Sequence, residues 1–141
     1  MSPVLFDTNI LIDHFNNHSQ ATNELTAYKD AIISSLSWIE VACGFDQAHR
    51  MDLSRVLSMA RIRVVHIDDK IMLRAAVLRS ISIANQSKVK LVDCIIRATA
   101  EVSHRILVTR NPKDFGGEGP MVRVPYQISN GKIVSIKPPP P

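Results

Sequence analysis

The chain has 141 residues, 45% of them hydrophobic and 21% charged, which is one domain's worth of ordinary globular polymer and excludes an intrinsically disordered chain. No stretch of 18 uncharged apolar residues occurs, and the opening MSPVLFDTN has neither the basic start nor the apolar run of a secretory signal, so no membrane span is expected and the cytoplasm is the expected location. Seventeen basic against 13 acidic side chains give a net charge of +4, which permits a polyanionic partner without requiring one.

Short apolar runs alternate with helical patterns. Val4, Leu5 and Phe6 open the chain as a strand. Ile10, Leu11, Asp13, His14 and Phe15 give a short helix that Asn16, Asn17, His18 and Ser19 break. A helix over 20–28 and a strand at 31–33 follow. Helices are expected over 36–47 and 52–60, then a third strand at 63–67, rich in β-branched residues. Asp68 or Asp69 caps a long helix that runs to residue 84. A polar loop at 85–90 precedes a helix over 92–104 and a fourth strand at 105–109. Asn-Pro and Gly-Gly pairs mark the next loop, and Pro125 holds a last strand at 122–126 to a sheet edge.

Strands alternating with helices imply right-handed crossovers and a parallel sheet buried between helical layers. The expected organisation is one domain over 1–128. Residues 129–141 form an extended or disordered tail ending in Lys137 and four prolines. Cys43 and Cys94 each lie in an apolar stretch and are expected to be reduced core thiols. They are too few and too far apart for a structural zinc site.

Ligands of an open parallel sheet bind beyond the carboxyl ends of its strands, so acids placed there matter most. Asp7 follows the first strand directly, in Asp7-Thr8-Asn9, where it also suits a helix cap. Glu40 is the one charge in the helical run from Ser37 to Phe45. Leu36 and Gly44 share its face, which predicts a partly buried carboxylate in need of a partner. Asp93 is again a single acid among apolar groups, in the first turn of its helix, where the helix dipole favours it. Asp114 lies in the loop after the fourth strand, a place where Asp is common as a turn residue.

Together the four are more informative than apart. Carboxylates at close range repel and raise one another's pKa, and a hard divalent cation such as Mg²⁺ or Mn²⁺ removes that penalty. Setting the four aside leaves 17 basic side chains against nine acidic ones. An acidic, metal-filled centre in a basic body suits a nucleic-acid backbone.

These residues resemble the PIN-domain nucleases, and in particular the VapC-like toxins of bacterial toxin–antitoxin pairs. The resemblance is carried by Val4-Leu5-Phe6-Asp7-Thr8-Asn9, by Ser37-Trp38-Ile39-Glu40-Val41, by Leu91-Val92-Asp93-Cys94-Ile95-Ile96 with Ala98-Thr99-Ala100, and by Val108-Thr109-Arg110-Asn111-Pro112-Lys113-Asp114-Phe115. The pieces stand in family order and span about residues 3 to 126. The resemblance implies a three-layer α/β/α sandwich and a Mg²⁺-dependent endoribonuclease, with Mn²⁺ as a substitute ion, cutting RNA such as tRNA or rRNA. Asp7 and Asp93 match the strongest metal-binding positions, Glu40 the acid usually assigned with them, and Asp114 a more variable last acid that some members hold at the place of Asn111. Thr8, Asn9 and Thr109 match polar residues that orient the cluster. The family further implies a homodimer inhibited by a cognate antitoxin.

Other residues admit two readings. Arg97, one turn after Asp93, is either half of an i,i+4 ion pair or an arm for an RNA phosphate or an antitoxin carboxylate. Arg110 and Lys113, beside Asp114, are candidates to grip the RNA backbone. Trp38, Val41 and Phe45 form a core stripe or an antitoxin or dimer groove, and Ile71, Ala75, Leu78 and Ile81 are ambiguous in the same way. His104, near the end of its helix, suits a dipole partner better than a catalyst. Two other functions compete with the nuclease. One is a catalytically silent PIN-like module that binds RNA or protein. The other is an aspartyl-phosphate phosphatase, against which Asn9 stands where a second acid belongs.

Overall fold

Val4 and Phe6 of β1 (Val4–Phe6) pack into one apolar cluster, while Leu5 between them points into another. The same alternation separates Ile33 from Ile32 in β2 (Ala31–Ser34) and Val108 from Leu107 in β4 (Ile106–Val108). A strand apolar on both faces must be covered on both, so the sheet lies between two helical layers. The computed structural model describes residues 2–140. Met1, where the domain was expected to begin, and Pro141, the end of the expected tail, lie outside them.

One layer holds α1 (Thr8–Phe15), α2 (Ser19–Thr26) and α4 (Gln47–Met59), which send Ile10, Leu11, Leu25, Leu53 and Leu57 into the first cluster. On the other face, Ile96 and Ala100 of α6 (Leu91–Val102) meet Leu5, Ile32 and Leu107. Outside α6 packs α5 (Asp69–Ala84), through Ile71, Ala75 and Leu78. The expected three-layer α/β/α sandwich is therefore the observed architecture.

Five strands pair in parallel in the order β3-β2-β1-β4-β5, with β3 at Ile62–Val65 and β5 at Val122–Arg123. From β1 the chain winds outward through β2 to β3, then crosses back to β4 and β5. The order therefore reverses between β1 and β4, and the crevice at their carboxyl ends is the topological switch point. Asp7 follows β1 and Thr109 follows β4 at that crevice.

Several boundaries differ from the sequence reading. The helix expected over 36–47 is α3 (Ser35–Ala42), and the helix expected from residue 52 begins at Gln47. Ser34 Oγ accepts from Leu36 N to start α3, and Asp46 Oδ1 accepts from His49 N to start α4. The Asp46 cap is the signal the apolar pattern conceals. The helix expected to reach residue 104 ends at Val102, because His104 takes a left-handed conformation at φ +54. Asp68, rather than Asp69, caps α5 through Ile71 N. Cys94 is buried, but Cys43 is exposed at the end of α3 and is not a core thiol. Trp38, Val41 and Phe45 pack on the first cluster, as a core stripe should.

Beyond β5 an antiparallel hairpin forms, β6 (Gln127–Ser129) with β7 (Lys132–Val134), turning through Asn130 and Gly131, both at positive φ. Asn-Gly supplies such a turn without a steric penalty. The segment is fastened to α1 by a buried network. Arg110 grips Asp13 with two nitrogens, Nη2 lying 3.0 Å from Oδ1, and Tyr126 OH donates to Asp13 Oδ2 at 2.7 Å. Gln127 Nε2 donates to the carbonyl of Arg110 at 3.1 Å. Arg110 is thus a structural anchor, and its guanidinium is not free to hold an RNA phosphate. The reason is the buried Asp13 carboxylate, which needs a cation.

Removing that cation leaves a buried charge with only a phenol for company. Arg110→Ala is expected to lower the unfolding free energy by about 3 kcal/mol, read from the urea midpoint at unchanged slope. A loss under roughly 0.5 kcal/mol, the scale of an exposed pair, would contradict the anchor.

Candidate active site

Asp7 is built into the crevice by the chain itself. Its N–H donates to Val108 O at 2.9 Å, which fixes the backbone to β4. Its Oδ1 accepts from Thr8 N at 2.8 Å and caps α1. Its Oδ2 accepts from Thr109 Oγ1 at 2.8 Å and from Asn9 Nδ2 at 3.3 Å. One Asp7 oxygen serves the helix cap, and the other is held by Thr109 and Asn9. Asn9 also ties the crevice shut, since its Nδ2 reaches Thr109 Oγ1 and its Oδ1 accepts from Arg110 N, each at 3.3 Å. Thr109 Oγ1 in turn accepts from Asn111 N at 2.9 Å.

Glu40 reaches the same place from α3. Thr8 Oγ1 donates to Glu40 Oε1 at 2.7 Å, and the fully buried Ser37 hydroxyl stands 3.0 Å from Thr8 Oγ1. Glu40 is exposed rather than partly buried. Leu36 and Gly44, the uncharged neighbours on its helix face, do not cover it, and its tip is held by Thr8. Ser37 is a supporting residue that the sequence reading omits. Its signal was its position one turn before Glu40, on the face that turns inward.

Asp93 comes from the first turn of α6 and is half-buried, and Asp114 from the 3-10 turn Pro112–Phe115. Asn111 Nδ2 donates to Asp114 Oδ2 and aims it. So Asn111 orients Asp114 within its turn. Lys113 is exposed on the same turn, and Arg97 bonds Glu101 as an i,i+4 pair, Nε to Oε1 at 3.1 Å.

Electrostatics joins the four acids. Burial pushes the Asp7 carboxyl up from 3.8 to about 6; the hydrogen bonds of Thr109 and Thr8 oppose this, and the charges of Asp93 and Glu40 add to it. The Asp93 carboxyl is raised by desolvation and by the charges of Asp114 and Glu40, against the pull of Lys90. The carboxylates therefore share one region of field. Seven of the 13 acids pair with an Arg, Lys or His, namely Asp13, Glu24, Asp30, Asp46, Asp52, Glu101 and Glu118. Asp68 and Asp69 sit at the start of α5, where the helix end favours them. Asp7, Glu40, Asp93 and Asp114 are the other four, and among the described residues none of them forms an ion pair with an Arg, Lys or His, although Asp7 and Asp93 also stand at helix starts.

Among the described residues no three His, Cys, Asp or Glu side chains form, as placed, a group able to hold a metal ion. The donor chemistry of the four carboxylates is nonetheless the kind a hard divalent ion takes. The donor set is all oxygen, it carries excess negative charge, and the exposed Glu40 side leaves room for the waters that Mg²⁺ keeps. Cysteine and histidine, the ligands of a zinc site, are absent from the set.

A profile of the PIN domain family matches residues 4–115. A toxin–antitoxin complex from Klebsiella pneumoniae contains a chain 38% identical to this one, with a TM-score of 0.72 over 89% of this chain and 99% of the other. DNA-bound VapBC from Salmonella typhimurium gives 23% identity and a TM-score of 0.67, covering 87% and 96%. VapBC2 from Rickettsia felis, bound to a promoter fragment, gives 20% and 0.69, covering 85% and 96%; at these identities the likeness is one of fold. No curated protein matches the chain.

Folding binds the Asp7 proton more tightly than the unfolded chain does, so stability falls as pH rises from 3.8 to about 6 and stays reduced above. Asp7→Asn keeps a cap oxygen for Thr8 N and removes the charge. In EDTA near neutral pH this variant is expected to unfold later than wild type by about 2 kcal/mol, the gain vanishing as pH drops through the carboxylate range. A variant that melts earlier than wild type at neutral pH would show that Asp7 is already compensated.

Proposed function

The chain belongs to the PIN-domain family, and from that premise we propose that it is a divalent-metal-dependent endoribonuclease, the VapC-like toxin of a toxin–antitoxin pair. The observation that carries the proposal is the Asp7 carboxylate at the β1/β4 switch point, held by neutral donors alone and raised further by the charges of Asp93 and Glu40. A stable fold does not keep such charges together without a use for them, because each raises the cost of ionising the next.

Asp7, Glu40, Asp93 and Asp114 are the residues that would hold Mg²⁺, or Mn²⁺ in its place. A cation bound there would supply charge neutralisation and Lewis acidity to a phosphodiester attacked by water. The chain's own contribution is orientation. Thr8 N, Thr109 and Asn9 leave Asp7 little freedom, Thr8 sets the Glu40 tip, and Asn111 sets Asp114. Such outer partners fix the direction of a ligand's lone pairs before the ion arrives. No histidine lies in the cluster to act as a base, so proton removal falls to solvent and carboxylate. The basic remainder of the chain, 17 cationic groups against nine acids once the four are set aside, attracts the RNA backbone.

A cognate antitoxin is the expected partner, as the Klebsiella pneumoniae chain is part of a toxin–antitoxin complex. Homodimerisation is supported by the outer face of α5, where Met72, Leu73 and Val77 stand exposed. No helix among the described residues is long and apolar enough to cross a membrane.

Expression of wild type, Asp7→Ala and Asp93→Ala in bacteria tests the reading. Growth arrest and RNA cleavage are expected from wild type alone, and equal toxicity from all three would refute it. In vitro, EDTA should abolish cleavage of total tRNA and rRNA, and Mn²⁺ or Mg²⁺ should restore it. Thr109→Ala is expected to lose about 10- to 100-fold, the range for a residue behind a ligand. Cleavage that survives chelation would remove the metal from the account. Bound RNA that is never cut would favour the silent module.

A further inference from the structure

Beside the acid cluster lies a cavity of about 180 Å³ between α5, the 85–90 loop and α6. Arg74, Arg97, Leu78, Ile81 and Val89 line it, and Asp114 closes the end nearest the cluster. Asp114 therefore belongs to both places. We propose that this cavity receives the nucleotide next to the scissile phosphate, its phosphate on Arg97 and Arg74 and its base against Leu78, Ile81 and Val89. The assignment rests on the nuclease reading above and deepens it to a recognition site.

Donor count, not net charge, favours an anion. Arg74 and Arg97 both bond the single carboxylate of Glu101, and with Asp114 in the lining the formal charges cancel, but the two guanidinium groups keep N–H donors that Glu101 does not use. Two guanidinium groups with unused donors are the chemistry that holds a phosphate. The apolar wall is wasted on a bare phosphate but suits the face of an unstacked base.

The cavity is also preformed. Ser82 Oγ accepts from Ser87 Oγ at 2.9 Å and from Val89 N at 3.0 Å, and Arg79 Nη1 donates to Val89 O at 2.9 Å. These bonds stitch the loop to α5, so little ordering remains to be done on binding. The Arg97 guanidinium also packs close to the turn that carries Asp114: a Cβ added at Gly116, which stands at φ +87, would lie 3.0 Å from Arg97 Nη2.

The test uses the full chain carrying Asp93→Asn with Mn²⁺, and a fluorescein-labelled single-stranded RNA dodecamer of mixed sequence followed by anisotropy. Adding Arg97→Gln, or Ile81→Trp to fill the cavity from its exposed rim, should weaken binding about tenfold or more. In the chain with Asp93 intact, both substitutions should raise KM for RNA far more than they lower kcat, and leave Mn²⁺ affinity and the melting temperature near wild type. Ile81→Trp touches neither Glu101 nor Gly116, so its effect is not a displaced Asp114. RNA affinity and KM unchanged in both variants would overturn the cavity while leaving the nuclease intact. Unchanged RNA affinity with lost binding to a co-expressed antitoxin would overturn it in favour of a protein ligand. Failure of the intact chain to cut or bind any RNA would overturn both readings together.

Discussion

The buried carboxylate of Asp7 is the constraint around which this fold is arranged. It sits where the sheet order reverses, with β1 and β4 delivering it and Thr109 side by side. Three neutral donors hold its oxygens, and no cation does. Neutral donors orient a carboxylate without cancelling its charge, and nearby Glu40 and Asp93 add to the cost. The chain spends stability at one point, and the apolar clusters on both faces of the sheet carry that cost.

Asp13 and Glu24 are as deeply buried as Asp7, yet each has an arginine and a tyrosine. Arg110 and Tyr126 serve Asp13, and Arg123 and Tyr28 serve Glu24. Those networks fasten the C-terminal segment to α1 and α2, which is structural work. The same sequence therefore solves the buried-carboxylate problem twice and leaves it open once, at the place where a parallel sheet offers a ligand site.

Much of this was legible in the residues. Apolar runs of three or four residues between helical patterns fixed the parallel sheet, and the position of Asp7 directly after the first run fixed the crevice. Periodicity was blind to caps. Asp46 divides the helices around residue 44, and the left-handed turn at His104 shortens α6, because both are decided by single hydrogen bonds or dihedrals. The uncharged surroundings of Glu40 suggest partial burial, but uncharged neighbours on a helix face do not by themselves cover a side chain. The role of Arg110 is hidden from the local sequence for a different reason. Its partner, Asp13, lies 97 residues away, and no local pattern announces a pairing at that distance. The β6–β7 hairpin, short and largely polar, likewise carries little apolar signal beyond its Asn-Gly turn.

The central claim is that these four carboxylates form one cation site. Anomalous diffraction from crystals of the protein soaked in Mn²⁺ addresses it without reference to turnover or substrate. The account predicts a peak bounded by the oxygens of Asp7, Glu40 and Asp93, with Asp114 near enough to contribute directly or through water. A crystal whose only manganese lies elsewhere, with an arginine or lysine swung in to neutralise Asp7, would contradict it.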